Sequence, residues 1–195
     1  VDGSVIVTTA YGDVTGDGSI SALDASEILR YVVMIIENIN FTRADVSGNG
    51  TITAYDGALL LHSVINPAYV FPVEGGPLLK PASPPALAWH SGPDGWSLGV
   101  TGNGPIGADV TLRLPDGASV TSNEAFAYSR DDELVTISVA TIGDAELFRV
   151  NGMTAPPSVV SASINEQDVS VAIPVPFSLA RSEEHTSELQ SRQSI

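Results

Sequence analysis

Asp13-Val14-Thr15-Gly16-Asp17-Gly18-Ser19-Ile20-Ser21-Ala22-Leu23-Asp24 recurs, 32 residues later, as Asp45-Val46-Ser47-Gly48-Asn49-Gly50-Thr51-Ile52-Thr53-Ala54-Tyr55-Asp56. Self-similarity at a fixed offset marks a tandem duplication of one structural unit. In both copies oxygen-bearing side chains stand at the first, third, fifth, ninth and twelfth positions, with Gly at the sixth. A hard divalent cation takes six to eight oxygens, which a tight loop delivers from alternate side chains plus one carbonyl. For a first calcium ion the spacing assigns Asp13, Thr15, Asp17, the carbonyl of Ser19, Ser21 through a water, and Asp24. For a second it assigns Asp45, Ser47, Asn49, the carbonyl of Thr51, Thr53 through a water, and Asp56. Gly18 and Gly50 fall where the chain must turn sharply and a side chain would obstruct. The first loop carries three carboxylates and the second two, because Asn49 stands where the first has Asp17, so weaker binding is expected at the second. Ile20 and Ile52 are expected to point inward and join the loops through a short β-bridge.

Each loop runs into a helical apolar pattern, Ile28, Leu29, Val32, Ile35 and Ile36 in the first copy and Leu60, Leu61, Val64 and Ile65 in the second. The second pattern ends at Asn66-Pro67, where proline disfavours a helical residue before it. Prolines then crowd residues 67–87, which read as a semi-extended linker. From there alternating segments at Trp96–Val100, Ala108–Leu114, Glu133–Ala140, Glu146–Val150, Val159–Ile164 and Val169–Ile173 are separated by turn signals such as Pro93-Asp94-Gly95 and Asn151-Gly152. Short strands at this spacing predict a small antiparallel β-sandwich over 88–173. The fold class is α + β in separate modules. Trp89 and Trp96 are expected as core residues of the sandwich rather than a sugar-stacking platform.

The duplicated loop-helix pattern over residues 11–66 resembles a dockerin module, on Gly12 to Gly18 with Asp24 and Tyr31, and Ala44 to Gly50 with Asp56. A regulatory EF-hand has a helix on both sides of each loop and usually Glu at the twelfth position. Here the segments leading into the loops are not helical in pattern and both twelfth residues are Asp. The resemblance implies a small all-α domain with two EF-hand-like loops, ordered by two calcium ions, whose helices bind a cohesin domain of another protein. It places the partner contacts at Ala22, Leu23, Leu29, Arg30 and Met34, and by the repeat at Ala54, Tyr55, Leu61, His62 and Asn66. Leu29 and Leu61 are read as core; Arg30 and His62 as contacts. The later strands, Trp96 to Val100, Ala108 to Leu112 and Ser161 to Glu166, resemble a cohesin-like or immunoglobulin-like sandwich.

The composition agrees with a cation-binding module. The chain of 195 residues carries 23 acidic against 8 basic side chains, with Lys80 its only lysine, so a nucleic-acid partner is excluded. Absence of cysteine excludes a disulfide scaffold and thiolate metal sites. No apolar run is long enough to span a bilayer. The chain starts at Val1, so an internal fragment is expected, with Ser4 to Thr9 the last strand of a truncated upstream domain over 1–10. Residues 174–180 resemble the spacer before C-terminal sorting domains of type IX secretion substrates, which implies a bacterial, extracellular or cell-surface parent. Arg181 to Ser191 resembles a translated sequencing adapter, and 181–195 are set aside. The expected function is calcium-dependent, non-enzymatic docking in an extracellular scaffold or adhesion protein. The alternatives are the docking tag of a secreted polysaccharide-degrading enzyme and a calcium sensor.

Overall fold

The computed structural model describes residues 11–79 and 85–172. The expected strand at Ser4–Thr9, the spacer over 174–180 and the adapter-like tail lie outside the described residues.

Helix α1 (Ala22–Val32) starts at Ser21, whose hydroxyl accepts from Leu23 N–H while Asp24 reaches back to the Ser21 N–H, a reciprocal capping box. Helix α3 (Ala54–Ile65) starts the same way from Thr53 and Asp56. The twelfth loop residue of each repeat is thus also the third residue of the following helix. Between them lies one helical turn, α2 (Phe41–Ala44), capped by Asn40. Ala25 and Ile28 of α1 pack on Leu60 of α3, with Val14 and Ala44 closing the cluster. Ile20 and Ile52 lie in neither a strand nor a bridge, and Ile20 is exposed. The expected β-bridge between the loops does not form; Ile52 instead packs against the cluster of Val14, Ile28 and Leu60.

The stretch read as a linker does not simply extend away from the helices. Phe71 is 3% exposed and packs with Val46, Tyr55 and Leu59, while Tyr69, Val73 and Leu79 join the same cluster. A 3-10 turn at Pro72–Glu74 brings Val73 N–H to the Val46 carbonyl at 3.2 Å. The prolines masked an aromatic and aliphatic set whose burial on the second repeat outweighs an extended course.

The sandwich has two five-stranded sheets. One is ordered β10 (Val171–Ala172), β1 (Ala86–Gly92), β2 (Gly95–Thr101), β7 (Ala145–Asn151), β4 (Ser119–Thr121). The other is ordered β5 (Ala125–Asp131), β6 (Leu134–Ile142), β3 (Pro105–Arg113), β8 (Ser158–Ile164), β9 (Gln167–Asp168). Pairing is antiparallel except where β10 runs parallel to β1. Inward-facing Leu98, Val100, Ile106, Val110, Val139 and Phe148 form the core with Trp89, whose ring meets Phe148 edge to face at 6.0 Å. Trp89 is therefore core, as expected.

The two modules, distinct along the chain as expected, pack against each other. Leu29 and Val33 of the α1 end and Ala54 and Ala58 of α3 share a buried cluster with Ala127 of β5 and Ala140 of β6. Register explains the flat platform beneath them: Ala125, Ala140 and Gly107 lie abreast on β5, β6 and β3, and Ala127, Ser138 and Asp109 form the next row. Strand β6 is therefore buried on both faces, Val135, Ile137 and Val139 toward the sandwich and Ser138 and Ala140 toward the helices.

Candidate functional site: two acidic loops and the face behind them

In the first loop, Asp24 closes the ring. Its Oδ1 accepts from Thr15 N–H at 2.8 Å and Thr15 Oγ1 at 2.9 Å, and its Oδ2 from Ser21 N–H at 2.9 Å and Ser21 Oγ at 3.0 Å. Burial alone would push this carboxyl up; the hydrogen bonds from Thr15 and Ser21 outweigh it and hold it below the usual carboxylate value. Asp17 accepts from Ser19 N–H and Oγ, both at 2.9 Å. Asp13 meets a cation that spacing did not reveal: Arg43 Nη1 lies 2.9 Å from its Oδ2 and 2.8 Å from its carbonyl. Arg43 is 30 residues from Asp13, and no local pattern connects the two.

The second loop repeats the ring with different surroundings. Asp56 accepts from Ser47 N–H at 2.9 Å and Thr53 N–H at 3.0 Å, matching Asp24. Asp45 gathers Gly48, Asn49 and Gly50 N–H groups at 2.8, 3.2 and 3.0 Å. Both twelfth-position carboxylates are closed to solvent, but Asp24 lies under a thin cover and Asp56 under a thick one. Burial accordingly pushes Asp56 up to about 6 against the pull of its Ser47 and Thr53 hydrogen bonds, and nearby Asp45 adds to the rise.

These donors fit a calcium ion. All are hard oxygens, and Asp56 is a buried acid whose charged neighbour is another acid, an arrangement that a divalent cation relieves. Among the described residues no three carboxylate or imidazole side chains converge. A cation in either loop would have to draw on hydroxyl, amide and carbonyl oxygens as well.

The residues read as partner contacts divide. On the first repeat Ala22, Leu23 and Met34 are exposed, and Arg30 is half-buried beside Glu27 at 2.8 Å. On the second only Asn66 is exposed. Ala54 faces the sandwich, and Tyr55 is buried within its own repeat, its hydroxyl donating to the Leu79 carbonyl at 2.8 Å. His62 packs edge to face on Tyr69 at 5.0 Å. Leu29, read as core, is fully buried, in the cluster that the helices share with the sandwich. Sequence reasoning also missed two sandwich acids at this face. Asp109 accepts from Ala54 N–H at 3.3 Å and from Ser138 Oγ at 2.7 Å; burial pushes its carboxyl up, against both hydrogen bonds. Glu166 accepts from Thr53 Oγ1 at 3.1 Å and from Asn49 Nδ2. Neither sits in a recognisable motif, and only the folded sheet brings them to the loop.

Among solved structures, the non-cellulosomal cohesin from the hyperthermophilic archaeon Archaeoglobus fulgidus is similar at 16% identity over 47% of this chain and 86% of that one, with a TM-score of 0.29. ChBD3 from Thermococcus kodakarensis KOD1 is similar at 19% identity over 48% and 96%, with a TM-score of 0.28. At these scores neither likeness bears on the fold, which the two sheets define directly. No curated protein matches the chain. The family description "Dockerin type I domain" matches residues 11–65, the span of both loops and both helices. Domains of this family bind calcium and dock onto cohesin domains, and they are not catalytic. Residues 11–65 of this chain are a dockerin type I domain.

Proposed function

We propose that the chain is a calcium-dependent docking protein whose dockerin domain folds around two ions and engages a cohesin-type β-sandwich. Asp13, Thr15, Asp17, Ser19, Ser21 and Asp24 hold one ion, and Asp45, Ser47, Asn49, Thr51, Thr53 and Asp56 the other. The observation that carries this reading is the double duty of Asp24 and Asp56, each closing its loop and capping the next helix. Bound calcium supplies the positive charge these carboxylates need, so metal binding becomes folding free energy. A domain of this size buries too little apolar surface to be comfortably stable without such a staple. Extracellular or cell-surface scaffolding or adhesion is the setting that fits. Among the described residues no helix is long and apolar enough to cross a membrane.

The test is circular dichroism with calorimetry on the full chain. EDTA is expected to remove the helical signal of residues 11–65 while the β signal stays, and calcium titration is expected to resolve two sites. A spectrum indifferent to EDTA would sink the proposal.

A further inference from the structure

We infer that the sandwich of this chain is itself a receptor for its dockerin domain: the outer face of strands β5, β6 and β3 holds the α1–α3 face in cis, so the chain carries its own docking partner. The inference goes beyond trans docking and rests on the calcium-folded dockerin proposed above.

Three independent features carry it. The first is closeness. A Cβ at Gly107 would lie 2.2 Å from Tyr55 N and 2.3 Å from the Ala54 carbonyl carbon, so the start of α3 sits directly on the β3 backbone and only glycine permits it. Gly107 has no positive φ, so the strand itself does not require glycine there. The second is a polar match. Asp109, on the sheet, stands at the N-terminus of α3 and accepts from Ala54 N–H, where a carboxylate complements the helix dipole.

The third is a residue held against its local preference. The β8–β9 hairpin turns through Asn165 and Glu166, both at positive φ, 47° and 69°. A turn of that kind favours Asn-Gly, and a non-glycine there is strained. Asn165 fixes the turn beside β3, its amide donating to the Pro105 carbonyl at 3.1 Å and its carbonyl oxygen accepting from Gly107 N–H at 2.8 Å. From that anchored position Glu166 reaches Thr53 and Asn49 of the second calcium loop. The strain is explained by what the side chain touches.

Glu166 and Asp109 bring two carboxylates toward a loop that already holds Asp45 and Asp56. A cation on that loop offsets the repulsion, so docking and calcium uptake favour each other by linkage.

The test uses the full chain with a protease site inserted within residues 80–84 and cleaved in saturating calcium. The two wild-type halves are expected to co-elute. Gly107→Glu halves are expected to separate, with association weakened at least about a hundredfold, while Trp89 fluorescence from the sandwich core stays native. Glu166→Gly is the second probe. It relieves the turn and raises the melting temperature of the sandwich by a few degrees, about 3 °C, yet weakens association roughly tenfold. Folded wild-type halves that part overturn the inference. A chain that elutes as a calcium-dependent dimer before cleavage also overturns it, assigning the face to a second copy. Helical ellipticity read on the same samples isolates the other reading: if calcium does not alter it, calcium-driven folding fails while co-elution still decides docking.

Discussion

At the eleventh loop position the first repeat carries Leu23, 58% exposed, and the second carries Tyr55, 1% exposed and bonded to the Leu79 carbonyl. The same divergence runs through the tenth position, where Ala22 is exposed and Ala54 lies against the sandwich. Two loops with one internal hydrogen-bond ring have been given different neighbours: Arg43 beside the first, and Val73, Glu166 and Asp109 beside the second. Duplication preserves what a loop does to itself. What surrounds it is set by the rest of the chain.

The largest expected effect breaks the ranking of the two sites. In a background carrying Glu166→Gln and Asp109→Asn, which removes the sandwich acids from the second loop, Asp24→Ala leaves only the second loop and Asp56→Ala only the first, and calorimetry is expected to find the surviving first site about tenfold tighter, the equivalent of ~1.4 kcal/mol for one extra carboxylate. Equal residual affinities would refute the ranking. Arg43→Gln removes the guanidinium from Asp13 and is expected to widen the gap by about threefold to tenfold at low salt, shrinking as salt is added.

Next in size is a pair of glycines at the same repeat position. Gly16 and Gly48 both have positive φ, 79° and 73°, so alanine costs about 1 kcal/mol at either. A Cβ at Gly16 would meet the movable end of Arg43 at 3.3 Å, whereas one at Gly48 would meet the Val73 backbone at 3.1 Å. Thermal melts in calcium are expected to show Gly48→Ala costing about 1 kcal/mol more than Gly16→Ala. Matching losses would mean that the 3-10 turn yields freely.

Smaller still, Tyr55→Phe is expected to cost about 1 kcal/mol through the lost bond to Leu79, while Leu23→Ala stays within about 0.5 kcal/mol. The smallest contrast lies at the helix ends. Met34, 86% exposed, sits at φ 60° just beyond α1, whereas Asn66 ends α3 at φ −130°. Met34→Gly is therefore expected to raise stability by roughly 0.5–1 kcal/mol, and Asn66→Gly to lower it slightly.

The loops and helices were legible because their determinants are local: ligand spacing, a sixth-position glycine and a cap three residues ahead of an acid. Most strands were legible from alternation against one core. Strands β1, β4, β5 and β9 were not; in β5, Ala125, Ala127 and Ser129 on the outer row are too small to mark a buried face. Their smallness is explained only by the helices above them. Gly107 and Glu166 were unreadable for the same reason, since each is fitted to a surface more than fifty residues away. Phe71 was hidden by prolines that suggested extension where an aromatic side chain decided the course.

The carboxylate that closes each loop and opens each helix acts as a rivet through two plates. Because Asp24 and Asp56 fasten both at once, neither plate can work loose alone: a loop that opens takes the first turn of its helix with it. With calcium held as proposed, the residence time of the ion would set the lifetime of the helix, and the surrounding calcium concentration would be felt at the helix surface without any further relay.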